Sequence, residues 1–491
     1  MKTPPHRTRV RAARGLLALA ALVFAGCAGP GNDSAPPERP AAPLGVSAGA
    51  LADAAAPPEP GLAPDEAIDL AAAIALAVRG DPILRIAWSR VLRAQGDEKT
   101  ARADFYPGIV SESGVSREEQ GSSRGRSAFE ETVYRTALRL SYTVYDFGGG
   151  RRSRLEAARR ALLAEELRFN REFQDLVLAV QRAYFTVQRG KAELAAANET
   201  VGEARETWRA TRRLHEAGSA TIQEVFQAKA RFEETRFRRE AASAGLESAR
   251  ARLAGRLGIR VSRDLRTVEP GAVLFDADAL GSIDQLLEQA GARRADQLAL
   301  RAEVEAARAE VEAARAAYLP RLELGGLGEW ERLQRDGSEE LLDFRAGLVL
   351  RWPLFEGFAR DAELLRRKAR LREAAARLAR GDIEVAGEIW TRFHEVRSAR
   401  RQIESSDARL EAARKSFEFA QRAFDLGKTD LLHLLATQRD LAEARSQVIE
   451  ANAALAVALA ELSNATAMPD ETPVPAFRQA PRETNPPNET R

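Results

Sequence analysis

The sequence predicts a mainly helical chain, built from very long helical hairpins and two short pairs of β-strands. Three observations carry that expectation. Apolar residues recur at a seven-residue period, the same pattern returns in the second half, and two stretches alternate with a period of two.

The first ladder is Phe173, Val180, Val187, Leu194, Val201 and Trp208, inside a proline-free run from Arg151 to Leu214. A seven-residue period returns the same narrow face of a helix, so the run reads as a coiled-coil seam. At about 1.5 Å per residue it reaches roughly 95 Å. It ends at His215-Glu216-Ala217-Gly218, and a return helix runs from near Thr221 to about Leu257. The second ladder is Ile389, Val396, Ile403, Leu410, Phe417 and Phe424, ending at Asp425-Leu426-Gly427. The turn glycines Gly218 and Gly427 lie 209 positions apart (427 less 218). That offset carries Val180, Val187, Leu194, Val201 and Trp208 onto Ile389, Val396, Ile403, Leu410 and Phe417. The chain is therefore read as an internal duplication with one long hairpin per copy.

Composition narrows the function classes. Basic and acidic residues number 74 and 72, for a net charge of +2. Arginines alternate with glutamates along the helices and form no basic face, which argues against nucleic acid. The single cysteine excludes a disulfide within the chain and a cysteine-rich metal site. No cofactor is expected.

In chain order, residues 1–26 read as an export signal. Lys2, Arg7, Arg9, Arg11 and Arg14 precede a short apolar core from Leu16 to Phe24. Phe24-Ala25-Gly26-Cys27 resembles the lipobox of bacterial lipoproteins, with phenylalanine where leucine is usual. The resemblance implies lipidation at Cys27, and Ala28 after it implies sorting to the outer membrane. Residues 27–64, rich in proline, alanine and glycine, read as the lipidated tether.

Residues 65–257 form the first repeat: short helices, a strand pair over about 106–147, and the hairpin over about 151–257. In its strand Tyr134, Thr136, Leu138, Leu140, Tyr142 and Val144 alternate with Arg135, Ala137, Arg139, Ser141 and Thr143. Residues 258–282 link the copies. Residues 283–468 form the second repeat, with a strand pair over about 320–355 and a hairpin over about 360–468. There Leu342, Phe344, Ala346, Leu348, Leu350, Trp352 and Leu354 alternate with Asp343, Arg345, Gly347, Val349 and Arg351. The weaker runs Ile109 to Ser116 and Arg321 to Glu331 are the expected hairpin partners, and residues 469–491 a disordered tail. About ten residues of such alternation suit a tilted strand crossing a bilayer, apolar side outward. Gly148-Gly149-Gly150 and Glu356-Gly357-Phe358 read as corners between strand and helix, since no Gly-Lys-Ser/Thr follows.

Four strands cannot close a bilayer-spanning barrel, and open edges in lipid are costly. The barrel must then be assembled from several copies, and three would supply twelve strands. At this point the chain resembles the TolC-like outer-membrane efflux factors, including lipidated OprM-type and NodT-type members. The motifs are Ala-Arg-Ala-Asp-Phe-Tyr-Pro, ending at Pro107, and Ala-Arg-Ala-Ala-Tyr-Leu-Pro, ending at Pro320. Leu354-Phe355-Glu356-Gly357 and the turn Gly-x-x-Thr-x-x-x-Val-x-x-Ala from Gly218 to Ala228 add to them. The resemblance implies a homotrimer, with a trimeric α-barrel in the periplasm and a 12-stranded transmembrane β-barrel in outer-membrane lipid. It further implies the exit duct of a tripartite efflux or type I secretion system, with a periplasmic adaptor (membrane fusion) protein and an inner-membrane transporter as partners.

Site expectations follow from that frame. The family's paired aspartates after the second turn are replaced here by His433 and Ala436. Asp430, His433 and Glu224 are then the candidates for the periplasmic gate, and His433 would make it pH-sensitive over about pH 5–8. A merely solvated His433 is the plainer account. Leu214, Gly218, Ser219, Leu426, Gly427 and Lys428 are the adaptor contacts the resemblance implies. Arg135, Arg139, Arg345 and Arg351 fall on the inward strand face, either making the lumen basic or balanced by Asp343 and loop carboxylates.

Two rivals stand beside the channel. An enzyme lacks a nucleophile motif and any metal spacing among His215, His394 and His433. A periplasmic coiled-coil lipoprotein or adaptor without a pore explains the ladders but not two matching amphipathic strand pairs.

Overall fold

The computed structural model describes residues 67–120, 129–259, 265–269, 282–334 and 338–467. The expected signal, Cys27, the tether, most of the inter-repeat segment and the tail from residue 469 lie outside them. Twelve elements follow in order: α1 (Leu70–Gly80), α2 (Pro82–Ala103), β1 (Gly108–Gln120), β2 (Phe129–Asp146), α3 (Gly150–Glu216) and α4 (Ile222–Leu257), then α5 (Ile283–Arg293), α6 (Ala295–Ala316), β3 (Arg321–Gln334), β4 (Ser338–Arg351), α7 (Ala359–Asp425) and α8 (Leu431–Thr466). The two copies match length for length in every helix: α3 and α7 are each 67 residues, α4 and α8 each 36.

The seams explain the long helices. Phe173, Val180, Val187 and Val201 are buried on α3, as are Ile389, Val396, Phe417 and Phe424 on α7. Each such side chain contributes about 1.5–3 kcal/mol when fully removed from water. Leu194, Trp208, Ile403 and Leu410 are only partly covered. Both hairpins turn in the same way. Gly218 at φ 76° and Gly427 at φ 69° take the left-handed conformation that spares glycine a Cβ clash. Ser219 N–H then donates to Leu214 O at 2.8 Å, and Lys428 N–H to Ala423 O at 2.7 Å. Carbonyls at the helix ends are satisfied by this wrap.

The four strands form one antiparallel sheet in the order β1-β2-β3-β4. Besides the two expected hairpins, β2 pairs with β3 and so joins the repeats, with one register irregularity between Thr143 and Tyr145. The alternation read through Leu354 overshoots the strand, which ends at Arg351. Pro353 has no N–H to give the ladder, and the chain leaves the sheet just before it. At the other end β4 begins at Ser338.

Helix packing follows the sheet order. Beside the strands the layer runs α2, α3, α6, α7; toward the turns it runs α4, α3, α8, α7. Halfway along α3 a polar clamp fixes two chain segments. Ile68 and Thr267 form an isolated parallel bridge, and the Tyr184 hydroxyl donates to Ile68 O and Val268 O. Gln188 Nε2 donates to Val268 O at 2.7 Å, and Lys191 Nζ to Thr267 O. Burial pushes the Tyr184 hydroxyl up to about 12, so it remains a donor throughout the physiological range.

Candidate functional site: the sheet faces and the hairpin turns

The register divides the sheet into two chemically distinct faces. One carries Ile109, Val115, Tyr134, Leu138, Leu140, Tyr142, Leu322, Leu324, Trp330, Leu342, Phe344, Leu348 and Leu350. Gly326 and Gly328 lie on this face beneath Leu140 and Phe344; a Cβ there would come within 3.2 Å and 3.1 Å of those side chains. The other face carries arginines and carboxylates. Only the first face can meet hydrocarbon without stranding charges, so the second faces water.

The four sequence-singled arginines lie on the charged face, and each has a carboxylate partner. Arg135 meets Glu329 and Glu331, both at 3.0 Å. Arg139 meets Glu112 at 3.5 Å, Arg345 meets Asp343 at 2.7 Å, and Arg351 meets Glu323 at 3.2 Å. All four arginines on this face are thus paired with carboxylates of the same chain. Sequence reasoning missed Glu112, Glu329 and Glu331. The signal was present as alternation in the weaker strands, but pairing needs the register.

At the helix-side end of the sheet, exposed aromatics gather. Tyr106, Tyr145, Phe147, Trp352, Phe355 and Phe358 all stand out from the surface. Trp352 Nε1 donates to Tyr318 O at 3.2 Å, and the Tyr318 hydroxyl to Asp361 at 2.7 Å. Amphipathic rings in such a girdle suit a membrane–water boundary.

The hairpin turns expose Gly218, Ser219, Leu426, Gly427 and Lys428, while Leu214 is half-buried against the cluster of Phe417, Phe424 and Leu431. Glu224 and Asp430 stand at the starts of the return helices, and both act as caps. Thr221 and Glu224 form a capping box: Glu224 N–H donates to the Thr221 hydroxyl at 3.2 Å, and Thr221 N–H to Glu224 at 2.7 Å. Asp430 accepts from His433 N–H at 2.8 Å. The His433 side chain is exposed. The Thr-x-x-Glu spacing of the first cap was readable in the sequence and assigns Glu224 a structural task. Asp430 and Glu224 each close the start of their own helix.

Among the described residues, no group of His, Cys, Asp and Glu has the arrangement of a metal site.

Comparison with known proteins agrees with this geometry. The family model described as outer membrane efflux protein matches residues 73–259 and 286–467. Protein CyaE of Bordetella pertussis is 28% identical over 382 residues, covering 76% of this chain and 79% of that protein. Among solved structures, the outer-membrane channel OprN superposes with a TM-score of 0.72 at 22% identity, covering 81% of this chain and 89% of that one. The outer membrane protein VceC of Vibrio cholerae gives 0.70 at 19% identity, over 81% and 95%. At these identities the structures speak for the fold.

Proposed function

The chain belongs to the outer membrane efflux protein family, and from that premise we propose that three copies close one pore as the exit duct of a tripartite efflux or type I secretion system. The observation that carries the reading is the open sheet. Its strands run β1-β2-β3-β4, so β1 and β4 end with unpaired edges, while one face is apolar and the other charged. Lipid tolerates neither edge, and pairing β4 of one copy with β1 of the next removes both. The helix layer is open on the same flanks: α7 exposes Leu365, Ile383, Trp390 and Phe419, and α4 exposes Ile222, Phe226 and Phe237. A rotation that closes the sheet brings these flanks together.

The remaining assignments complete the reading. Cys27 carries the lipid that holds the chain at the outer membrane. The turn residues Leu214, Gly218, Ser219, Leu426, Gly427 and Lys428 receive a periplasmic adaptor, itself bound to an inner-membrane transporter. Asp430, His433 and Glu224 line the periplasmic entrance, with His433 exposed beside the Asp430 cap. A pore-free periplasmic scaffold has no use for an apolar sheet face with a lipid-length span.

The test is extraction from outer membranes followed by planar-bilayer recording. A heat-modifiable trimer with stepwise conductance supports the duct. A detergent-free, soluble monomer that is silent in the bilayer overturns it.

A further inference from the structure

One joint between repeats lies inside the chain, where β2 pairs with β3, and its register is a template for the joint between copies. The two hairpins superpose pair for pair. Gly108↔Ser141 in the first corresponds to Arg321↔Arg351 in the second, and Ile109↔Leu140 to Leu322↔Leu350. β1 therefore maps onto β3 with an offset of 213 (321 less 108), and β2 onto β4 with 210 (351 less 141). The long helices run at 209 (359 less 150). β2 thus holds one residue without a counterpart, and the β2–β3 register shifts where it falls, between Thr143 and Tyr145. The two ends of the sheet differ in one respect. Tyr142 to Asp146 of β2 pair with β3 alone, because β1 begins at Gly108, opposite Ser141. The matching residues beyond Arg351 have no strand beside them, because β3 begins at Arg321, opposite Arg351. The period-two alternation nevertheless runs on through Trp352 and Leu354.

We propose that β4 of one copy pairs with β1 of the next in the register of the internal joint, and lengthens to Phe355 in doing so. The inference rests on the multi-copy pore proposed above. Leu138↔Gly328 then becomes Leu348 opposite Val115 of the next copy, and Ser141↔Gly325 becomes Arg351 opposite Glu112 of the next copy. Tyr145↔Leu322 becomes Leu354 opposite Ile109 of the next copy. Three features favour this register. A slip of one residue would set the apolar face of one copy against the charged face of the next. A slip of two keeps the faces but sets Arg351 opposite Val110 or Gly114, with no carboxylate to meet it. Pro353 also fits. Phe147 N–H donates to Pro320 O, so the N–H groups of Tyr145 and Phe147 point toward β3. Their counterparts Leu354 and Glu356 point toward the next copy, and Pro353 between them faces away, where no N–H is needed. The helix layer obeys the same mapping. α3 meets α6 and α8 across the internal joint, so α7 should meet α2 and α4 of the next copy. Those three helices carry exposed apolar side chains, among them Trp390 on α7, Ile83 and Ile86 on α2, and Phe226 on α4.

The experiment is disulfide trapping in the full chain in outer membranes, read as covalent oligomers on non-reducing gels. Leu348→Cys is combined in turn with Val115→Cys, Ser113→Cys and Arg117→Cys, which lie on one face of β1. Residues directly opposite hold their Cβ atoms about 4.5–5.5 Å apart and diagonal ones about 7–8 Å, while a disulfide needs about 3.5–4.5 Å. The Val115 combination should therefore trap at least about tenfold more covalent trimer than either other. Leu354→Cys with Ile109→Cys should trap as well, which tests the added length of β4. The single-cysteine variants set the background from Cys27, and their conductance in planar bilayers shows that the fold is kept. Trapping that favours Ser113 or Arg117 overturns the register and leaves the duct standing. Trapping at Val115 without trapping at Ile109 overturns the lengthening of β4. Conducting trimers with no trapping in any combination overturn the joint alone, and wild-type protein that stays monomeric and silent overturns the joint and the duct together.

Discussion

The same helix corner is built twice in this chain, with opposite charges at its centre. In the first copy α1 and α2, of 11 and 22 residues, meet at Asp81; in the second α5 and α6, again 11 and 22, meet at Arg294. Asp81 caps α2 by accepting from Ile83 N–H at 2.5 Å and Leu84 N–H at 3.2 Å. Arg294 offers α6 no side-chain cap. Its guanidinium, 3% exposed, instead reaches Asp296 at 2.6 Å, Glu388 of α7 at 2.8 Å and the carbonyl of Ala465 near the end of α8 at 2.9 Å. One backbone corner thus serves as a local helix start in the first copy and as a staple between three helices in the second.

The long helices show the same divergence. On α3 the buried set spreads round the helix, because α1, α2, α4, α6 and α8 all pack against it. On α7 far fewer residues are buried, and large apolar side chains face outward. Tyr184, clamped and buried on α3, corresponds through the 209-residue offset to Phe393 on α7, which is only partly covered. Duplication supplied two equal rods; packing made the first a hub and the second an edge awaiting a neighbour.

Substitutions at matched positions sharpen that contrast. Arg294→Met should have the largest effect, about 3–5 kcal/mol, since Asp296 and Glu388 are left without their partner. Burial alone would raise the Asp296 carboxyl, but the Arg294 guanidinium overcomes it and holds the group below its usual range. A lowered folded-state pKa stabilises above the unfolded value near about 3.9 and is lost as pH falls through the folded value. Thermal unfolding of the wild type should therefore weaken in acid below about pH 4, and Arg294→Met should lose that acid sensitivity. Equal pH profiles for both proteins would detach the staple from Asp296.

Tyr184→Phe should cost about 1 kcal/mol, since the carbonyls of Ile68 and Val268 each lose one of two donors and keep Val268 N–H and Gln188 Nε2. Asp81→Ala should cost about 1 kcal/mol, the ordinary loss of one helix cap, with no change in acid sensitivity. A loss as large as that of Arg294→Met would erase the distinction between cap and staple.

The corner between sheet and long helix gives a smaller, signed effect. Gly149 at φ 67° and Phe358 at φ 65° hold the same left-handed position in the two copies. Nothing lies within 4 Å of a Cβ built at Gly149. Gly149→Ala should then register backbone strain alone, about 1–2 kcal/mol, and Phe358→Gly should gain a similar amount less its ring contact with Phe355. The smallest effect concerns the entrance. His433→Ala should flatten any dependence of single-channel conductance on pH between about 5 and 8. An unchanged profile makes His433 an ordinary solvated residue.

What was legible in the sequence was whatever is periodic along the chain. Val180 to Trp208 and Ile389 to Phe417 declare a seam at fixed spacing, and Tyr134 to Val144 declare a strand with two faces, so the fold class could be read directly. The rest depends on contacts between distant residues. No spacing reveals that β2 pairs with β3, and without that register Arg135 cannot be matched to Glu329 and Glu331, nearly two hundred positions away. The same holds for Arg294 and Ala465, and for Tyr184 and Val268. Glu224 is a different case: its capping box with Thr221 is a local pattern, visible in the sequence, that a pore-centred reading passed over.

The claim on which the rest depends is that one copy cannot close its own sheet. Native mass spectrometry of the full chain, released from detergent after extraction from outer membranes, measures this directly. The account predicts a mass of three chains, with monomer appearing only as the fold is lost. A folded monomer, or a dimer with intact sheet, would contradict it.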